Sequence, residues 1–112
     1  MQTRLEKMAD ITILVISGEN LDHSTANELK ENMVSVLKPN QKIIFDMSQL
    51  QFVDSSGLGV LLSCLRKLHA VGGELKISGL TEKVSALFDL VRMHRIFDIY
   101  NTREEACGAF LN

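Results

Sequence analysis

The sequence predicts an α/β domain with a mixed, mostly parallel sheet of about five strands and about four helices. Apolar strand segments alternate with amphipathic helical segments along the chain, which is typical of βαβ units. The 112 residues include one proline. Neither a repeat nor a low-complexity stretch divides them. We therefore predict a single domain over residues 1–112.

The composition is that of a folded protein, with 46% hydrophobic and 23% charged residues. The net charge of −2 comes from 14 acidic and 12 basic residues, without a basic cluster of the kind that binds nucleic acid. There is neither an apolar stretch near the ~20 residues that span a bilayer nor a signal-peptide core in residues 1–10. We expect a cytoplasmic protein, with no nucleic-acid partner and no membrane partner.

The first part of the chain predicts two strands and a helix. Residues 11–16 are rich in β-branched side chains and predict a strand, and residues 3–8 predict an earlier strand that pairs with it. Thr25 and Glu28 have the spacing of a capping box at the start of a helix. This helix should end near Pro39, because the residue before a proline is disfavoured in the α region.

Three further strands are predicted. Residues 43–45 form an apolar run bounded by polar residues, which is typical of a strand covered on both faces. Residues 74–78 alternate strictly and predict a half-exposed strand. Residues 96–100 predict a short last strand.

Three further helices follow from periodicity and capping. A helix after the segment 54–59 should continue to about Ala70, with an inward stripe of leucines: Leu58, Leu61, Leu62, Leu65 and Leu68. Residues 81–91 predict the third helix, and Thr102 with Glu105 predicts the capped start of the fourth. Cys64 and Cys107 fall in these helices without metal or redox spacing, so we expect two free, buried thiols and no metal site.

Residues 54–59, Asp-Ser-Ser-Gly-Leu-Gly, lie where a loop becomes a helix. A helix N-terminus has unpaired N–H groups and a positive dipole end, so a negatively charged group is stabilised there. Asp-Ser-Ser before an apolar run is also an ordinary N-cap, and plain capping is the alternative. The segment has neither the Gly-Lys-Ser/Thr ending of a P-loop nor the Gly-x-Ser-x-Gly pattern of a nucleophile elbow, which places an enzyme or a nucleotide-binding protein last among the candidate functions.

Residues 52–60, Phe-Val-Asp-Ser-Ser-Gly-Leu-Gly-Val, resemble the signature of the STAS domain, specifically of the anti-sigma factor antagonists of bacterial partner-switching systems. Residues 18–26, 72–74 and 84–90 resemble other landmarks of that family, so the resemblance extends over about residues 11–100. Asn20 departs from the family pattern as a one-residue insertion, which lengthens a loop near the motif and puts the placement of its neighbours in question.

The resemblance implies a single STAS domain that is not an enzyme and that is phosphorylated on Ser55. Its implied partners are an anti-sigma factor that is also a serine kinase, and a PP2C-type phosphatase. ATP and magnesium would belong to the kinase, so we expect no cofactor here. The unphosphorylated form would bind the anti-sigma factor and release its sigma factor, through a surface that includes Asp22, His23, Asp54, Ser56, Gly57, Leu58 and Gly59.

An alternative within the family is an interaction subunit of a transporter, or of a larger signalling complex, without a kinase cycle. The second alternative is the enzyme or nucleotide-binding protein that uses the Asp-Ser-Ser-Gly loop.

Overall fold

A computed structural model of the chain describes residues 2–37 and 41–111. The strands are β1 (Gln2–Met8), β2 (Ile11–Ser17), β3 (Asn20–Leu21), β4 (Lys42–Asp46), β5 (Phe52–Val53), β6 (Glu74–Ser78) and β7 (Asp98–Tyr100). The helices are α1 (Ala26–Leu37), α2 (Ser55–Ala70), α3 (Glu82–Leu90) and α4 (Arg103–Leu111). The predicted end of α1 near Pro39 lies outside the described residues.

Five strands form one sheet in the order β1-β2-β4-β6-β7. β1 is antiparallel to β2 across a two-residue turn in which Ala9 has a φ of 54°, and the other neighbours are parallel. This confirms the predicted sheet and the predicted number of helices. The short strands β3 and β5 form a separate parallel pair, which the sequence did not predict.

Helices cover both faces of the sheet. Alternate residues of β2, such as Leu14 and Ile16, join the main core with α1 and α2, whereas Ile13 and Val15 face α4. β4 follows the same alternation and is buried on both sides, as predicted. Because β2 and β4 lie between helical layers, their sequences are almost continuously apolar.

The prediction that β6 is half-exposed is wrong. The four residues after Glu74 are all buried, and Lys76 is only 5% exposed. α4 covers the face on which Lys76 lies. The Lys76 ammonium packs 4.7 Å from the centroid of the Phe110 ring and lies 3.3 Å from Asp98 Oδ2. The alternating polar residues therefore do not mark an exposed face in β6, because Lys76 is paired beneath α4 and Ser78 is also buried.

Smaller differences concern the ends of elements. Residues 93–95 form a 3-10 turn, so β7 starts at Asp98 and not at Ile96. In α2 the predicted stripe is partly correct: Leu61, Leu65 and Leu68 are buried, whereas Leu58 and Leu62 are only partly buried.

Several expectations about single residues can be checked in the same way. Both cysteines are free and buried, as predicted. Thr102 caps α4, since its Oγ1 accepts a hydrogen bond from the Glu105 N–H at 3.1 Å. Among residues 2–37 and 41–111, no helix is long and apolar enough to cross a membrane.

Candidate functional site

The β3–β5 pair brings the loop that follows β3 next to the start of α2. The Leu21 carbonyl oxygen accepts a hydrogen bond from the Asp54 N–H at 3.1 Å. The Glu19 carbonyl oxygen accepts from the N–H groups of Gln51 and Phe52 at 2.7 and 3.0 Å. These backbone hydrogen bonds hold residues 19–21 beside residues 51–54 at one end of the domain. The two segments are 30 residues apart in the sequence, counted from Leu21 to Gln51.

Asp54 is the N-cap of α2 and also holds the neighbouring loop. Its Oδ1 accepts a hydrogen bond from the Gly57 N–H at 3.0 Å, and its Oδ2 accepts from the His23 N–H at 3.0 Å. The hydrogen bond from Gly57, together with that from His23, lowers the pKa of Asp54 below its usual value. A carboxylate that is ionised at neutral pH therefore lies at the helix N-terminus.

Ser55 and Ser56 are the first two residues of α2, and both are exposed. Because Asp54 supplies the capping oxygen, neither serine hydroxyl is needed as the cap. Among the described residues, the Ser55 hydroxyl has no hydrogen-bonding partner. The plain-capping alternative is thus correct for Asp54, and it leaves the Ser55 hydroxyl open to solvent.

Asp22 and His23 lie beside Asp54 despite the insertion at Asn20. Asn20 is accommodated as a residue of β3, where its carbonyl oxygen accepts a hydrogen bond from Thr25 Oγ1 at 2.9 Å. Asp22 Oδ1 accepts from the Ser24 hydroxyl at 2.6 Å and from the Ser24 N–H at 2.9 Å, and these bonds lower the pKa of Asp22. His23 is exposed, with Nδ1 3.8 Å from Asp54 Oδ2.

The two glycines of the motif differ in their surroundings. Gly57 is buried, and a Cβ atom there would overlap the Leu21 carbonyl oxygen and lie 2.8 Å from Leu21 Cγ. Gly59 is exposed, and a Cβ atom there would have no neighbour within 4 Å. Gly57 therefore allows the β3 segment to approach α2, whereas Gly59 leaves open space on the surface. Leu58, between them, is half-buried.

The structure adds a contribution from α1 that the sequence analysis missed. A cavity of about 310 Å³ beside Ser56 is lined on one side by His23, Asn27 and Lys30, and on the other by Gly59 and residues of α2. Asn27 and Lys30 are three residues apart in α1 and therefore lie on one face of the helix, and this spacing was the available signal. His23 precedes α1 and was already among the predicted partner-binding residues. The site therefore lies between two helices and extends beyond the N-terminus of α2.

Residues 2–106 match the family model of the STAS domain. The chain belongs to the STAS domain family. This STAS domain is 32% identical over 108 residues to the anti-sigma F factor antagonist of Paenibacillus polymyxa, a match that covers 95% of this chain and 92% of the relative. Its fold is similar to that of TM1081 from Thermotoga maritima, with a TM-score of 0.90 and 26% identity over 98% of this chain and 95% of the other.

The same fold is found in SpoIIAA of Bacillus, an anti-sigma factor antagonist. Its unphosphorylated form superposes on this STAS domain with a TM-score of 0.72 at 22% identity, covering 99% of each chain. Its phosphorylated form gives a TM-score of 0.71 at 23% identity, covering 97% of this chain and 99% of the other. The identity is low, so the likeness to SpoIIAA concerns the fold alone.

Proposed function

We propose that this STAS domain is an anti-sigma factor antagonist that is switched by phosphorylation of Ser55. The unphosphorylated form binds an anti-sigma factor that is also a serine kinase, so that a sigma factor is released. A PP2C-type phosphatase then restores Ser55, and ATP and magnesium belong to the kinase. The observation that carries the proposal is the exposed Ser55 hydroxyl on the first residue of a helix that is capped by its neighbour, Asp54.

The electrostatics around Ser55 explain how modification would end binding. A phosphoryl group adds about −1.5 to −2 charges at neutral pH. Asp54 is adjacent in the chain, and hydrogen bonds keep its pKa low, so the new charge joins an existing one. At an interface that fits the unmodified surface, like-charge contacts cost several kcal/mol, and about 2.7 kcal/mol already weakens binding about a hundredfold.

The fold should tolerate the same modification. Ser55 is exposed, so its phosphoryl group remains in water and displaces no core side chain. A negative charge in the first turn also interacts favourably with the helix dipole, by about 0.3–1 kcal/mol at an exposed site. Similarity to both the phosphorylated and the unphosphorylated form of SpoIIAA supports a domain whose fold is the same in the two states.

Phosphate mapping tests the proposal directly. The purified chain is incubated with ATP, magnesium and each candidate anti-sigma kinase of the organism that encodes it. We expect stoichiometric phosphorylation on Ser55, detected by mass spectrometry, and its loss in Ser55→Ala. Ser56→Ala is the matched control, because it removes the neighbouring exposed hydroxyl, and it should still be phosphorylated.

Binding is then measured by calorimetry with the same kinase. Ser55→Asp should weaken binding at least about tenfold, while its thermal unfolding stays close to that of the wild type. Phosphorylation that persists in Ser55→Ala would show that the site is wrong. Tight binding by a chain that no kinase modifies would favour the alternative of an interaction subunit without a kinase cycle.

A further inference from the structure

A second surface feature lies between α1 and α2. A groove of about 240 Å³ has an apolar floor formed by Met33, Val34 and Leu37 of α1 and by Val71 at the end of α2. Lys30 and Lys67 also line it, one from each helix. We refer to these six residues as the α1/α2 groove.

The apolar part of the α1/α2 groove is open to solvent. Val34 is 58% exposed and Val71 is 56% exposed, and Met33 and Cys64 of the main core line the same groove. Exposed apolar residues that are grouped in a concave surface with a polar rim are typical of a protein-binding site. The groove therefore has the shape and the composition to accept side chains from a partner.

The rim of the groove carries a local positive charge. In the part of the chain that the structure describes, neither Lys30 nor Lys67 forms an ion pair. The groove thus presents two unpaired ammonium groups in a chain whose net charge is −2. Charge complementarity favours an acidic occupant. It disfavours a second copy docked groove to groove, because that arrangement would bring like charges together.

The α1/α2 groove is continuous with the site around the serines. Lys30 and Ser63 line both the groove and the polar cavity beside Ser56. The combined surface extends along α2 from Ser56 to Val71, which is about 22 Å at a rise of about 1.5 Å per residue. This length equals about four turns of a helix, so a partner that contacts Ser55 can reach the groove without leaving the surface.

We propose that the α1/α2 groove binds an acidic amphipathic helix of the anti-sigma partner. Apolar side chains of that helix, spaced at i, i+3 or i+4, would fill the floor at Val34 and Val71, and its carboxylates would face Lys30 and Lys67. The inference rests on the proposed function and deepens it. The N-terminus of α2 provides the switch, and the groove provides contact area that does not depend on phosphorylation.

Charge reversal at adjacent positions tests the contribution of the lysines. Lys67→Glu should weaken binding of the unphosphorylated chain to the anti-sigma kinase by about tenfold or more in titration calorimetry. Arg66→Glu is the control, because Arg66 is exposed on the same helix, bears the same charge and does not line the groove. Its affinity should stay within about twofold of the wild type.

A second pair of variants tests the apolar floor. Val34→Asp should weaken binding by a similar factor, whereas Ser35→Asp adds the same charge at an exposed neighbour outside the groove and should have little effect. Thermal unfolding of each variant checks that the fold is kept. Carbodiimide cross-linking of the wild-type complex should join Lys30 or Lys67 to an aspartate or glutamate of the partner, identified by mass spectrometry.

The outcomes separate this inference from the proposed function. If Ser55→Asp abolishes binding while Lys67→Glu and Val34→Asp bind like the wild type, the groove proposal is wrong and the switch stands. If these two variants change the oligomeric state in sedimentation and leave the partner affinity unchanged, the occupant is a second copy and the proposal is wrong. If no anti-sigma kinase binds the wild-type chain, both proposals fail together.

Discussion

Gly57 and Gly59 lie two residues apart in the first turns of α2, yet they meet opposite surroundings. The backbone of Leu21 approaches Gly57 so closely that a methyl group would overlap its carbonyl oxygen and lie 3.0 Å from Val53 Cγ1. Gly59 has open space where a methyl group would lie. Gly57 therefore allows β3 and β5 to pack against α2, whereas Gly59 lies at the open surface of the helix.

Because the surroundings differ, replacing glycine by alanine should have opposite effects on the stability of the fold at the two positions. Gly57→Ala should destabilise the fold by about 1–3 kcal/mol, because a methyl group in a filled space forces backbone to shift. Gly59→Ala should stabilise it by about 0.5–1 kcal/mol, because alanine loses less backbone entropy than glycine in a helix. Urea unfolding followed by circular dichroism measures both. Equal stabilities of the two variants would contradict this account of the motif.

Among the helices, α4 is held on the sheet by a small apolar cluster, by the packing of Phe110 on Lys76, and by Arg103. Ala106 and Cys107 are its buried residues. Arg103, at its first position, donates from Nη1 to Glu6 Oε1 of β1 at 2.9 Å and from Nη2 to Asp46 Oδ2 of β4. Burial alone would raise the pKa of Asp46, but the hydrogen bonds from Arg103 and Ser48 outweigh it and lower that pKa. The guanidinium therefore connects α4 to two strands.

Arg103→Ala should loosen α4 and lower the free energy of unfolding by about 1.5–3 kcal/mol, since it leaves a largely buried carboxylate without its cation. Hydrogen exchange of the α4 amides should rise more than that of α2. Lys42→Ala is a suitable control, because it breaks an ion pair with Asp10 whose side chains are 40% and 66% exposed, and its stability should hardly change. Equal losses in the two variants would be inconsistent with a specific role for Arg103.

Across residues 2–37 and 41–111, five carboxyl groups have a pKa below the usual value: Glu6, Asp10, Asp22, Asp46 and Asp54. Hydrogen bonds from cations, hydroxyls or N–H groups cause these shifts. A carboxyl group whose pKa is lower in the folded state stabilises the fold at pH values above its unfolded pKa. That stability is lost as the pH falls through the folded pKa. The fold should therefore weaken in acid.

The urea midpoint should be nearly constant between about pH 7 and 5.5 and should fall progressively below about pH 5. Asp54→Asn keeps a capping oxygen at the start of α2 and removes one titrating group. The difference in stability between the wild type and this variant should therefore narrow as the pH falls below about 4. If the difference in stability between the wild type and Asp54→Asn does not change with pH, the ionised Asp54 carboxylate is not the group that stabilises the wild type.

How much could be predicted from the sequence depended on whether the signal was local. The strands β2 and β4 and the start of α4 were predicted correctly, because β-branched runs and capping residues act within a few positions of the chain. The segment with Ser55 was found for the same reason, although its role in phosphorylation stays a prediction. The start of β7 was placed too early, because the N–H groups of Ile96 and Phe97 both donate to the Met93 carbonyl oxygen at 3.0 Å, and pairing with β6 begins only at Asp98.

The sequence alone determined the fold class, the order of most elements and the position of the serine motif, since periodicity and capping are properties of neighbouring residues. Three further features became visible in the folded chain: Lys76 lies beneath α4, the Leu21 carbonyl oxygen lies against Gly57, and lysines of two helices line one groove. Each of these depends on which distant segments pack together. That packing determines which side chains are buried and which charges are paired, so a sequence pattern within one segment does not predict them.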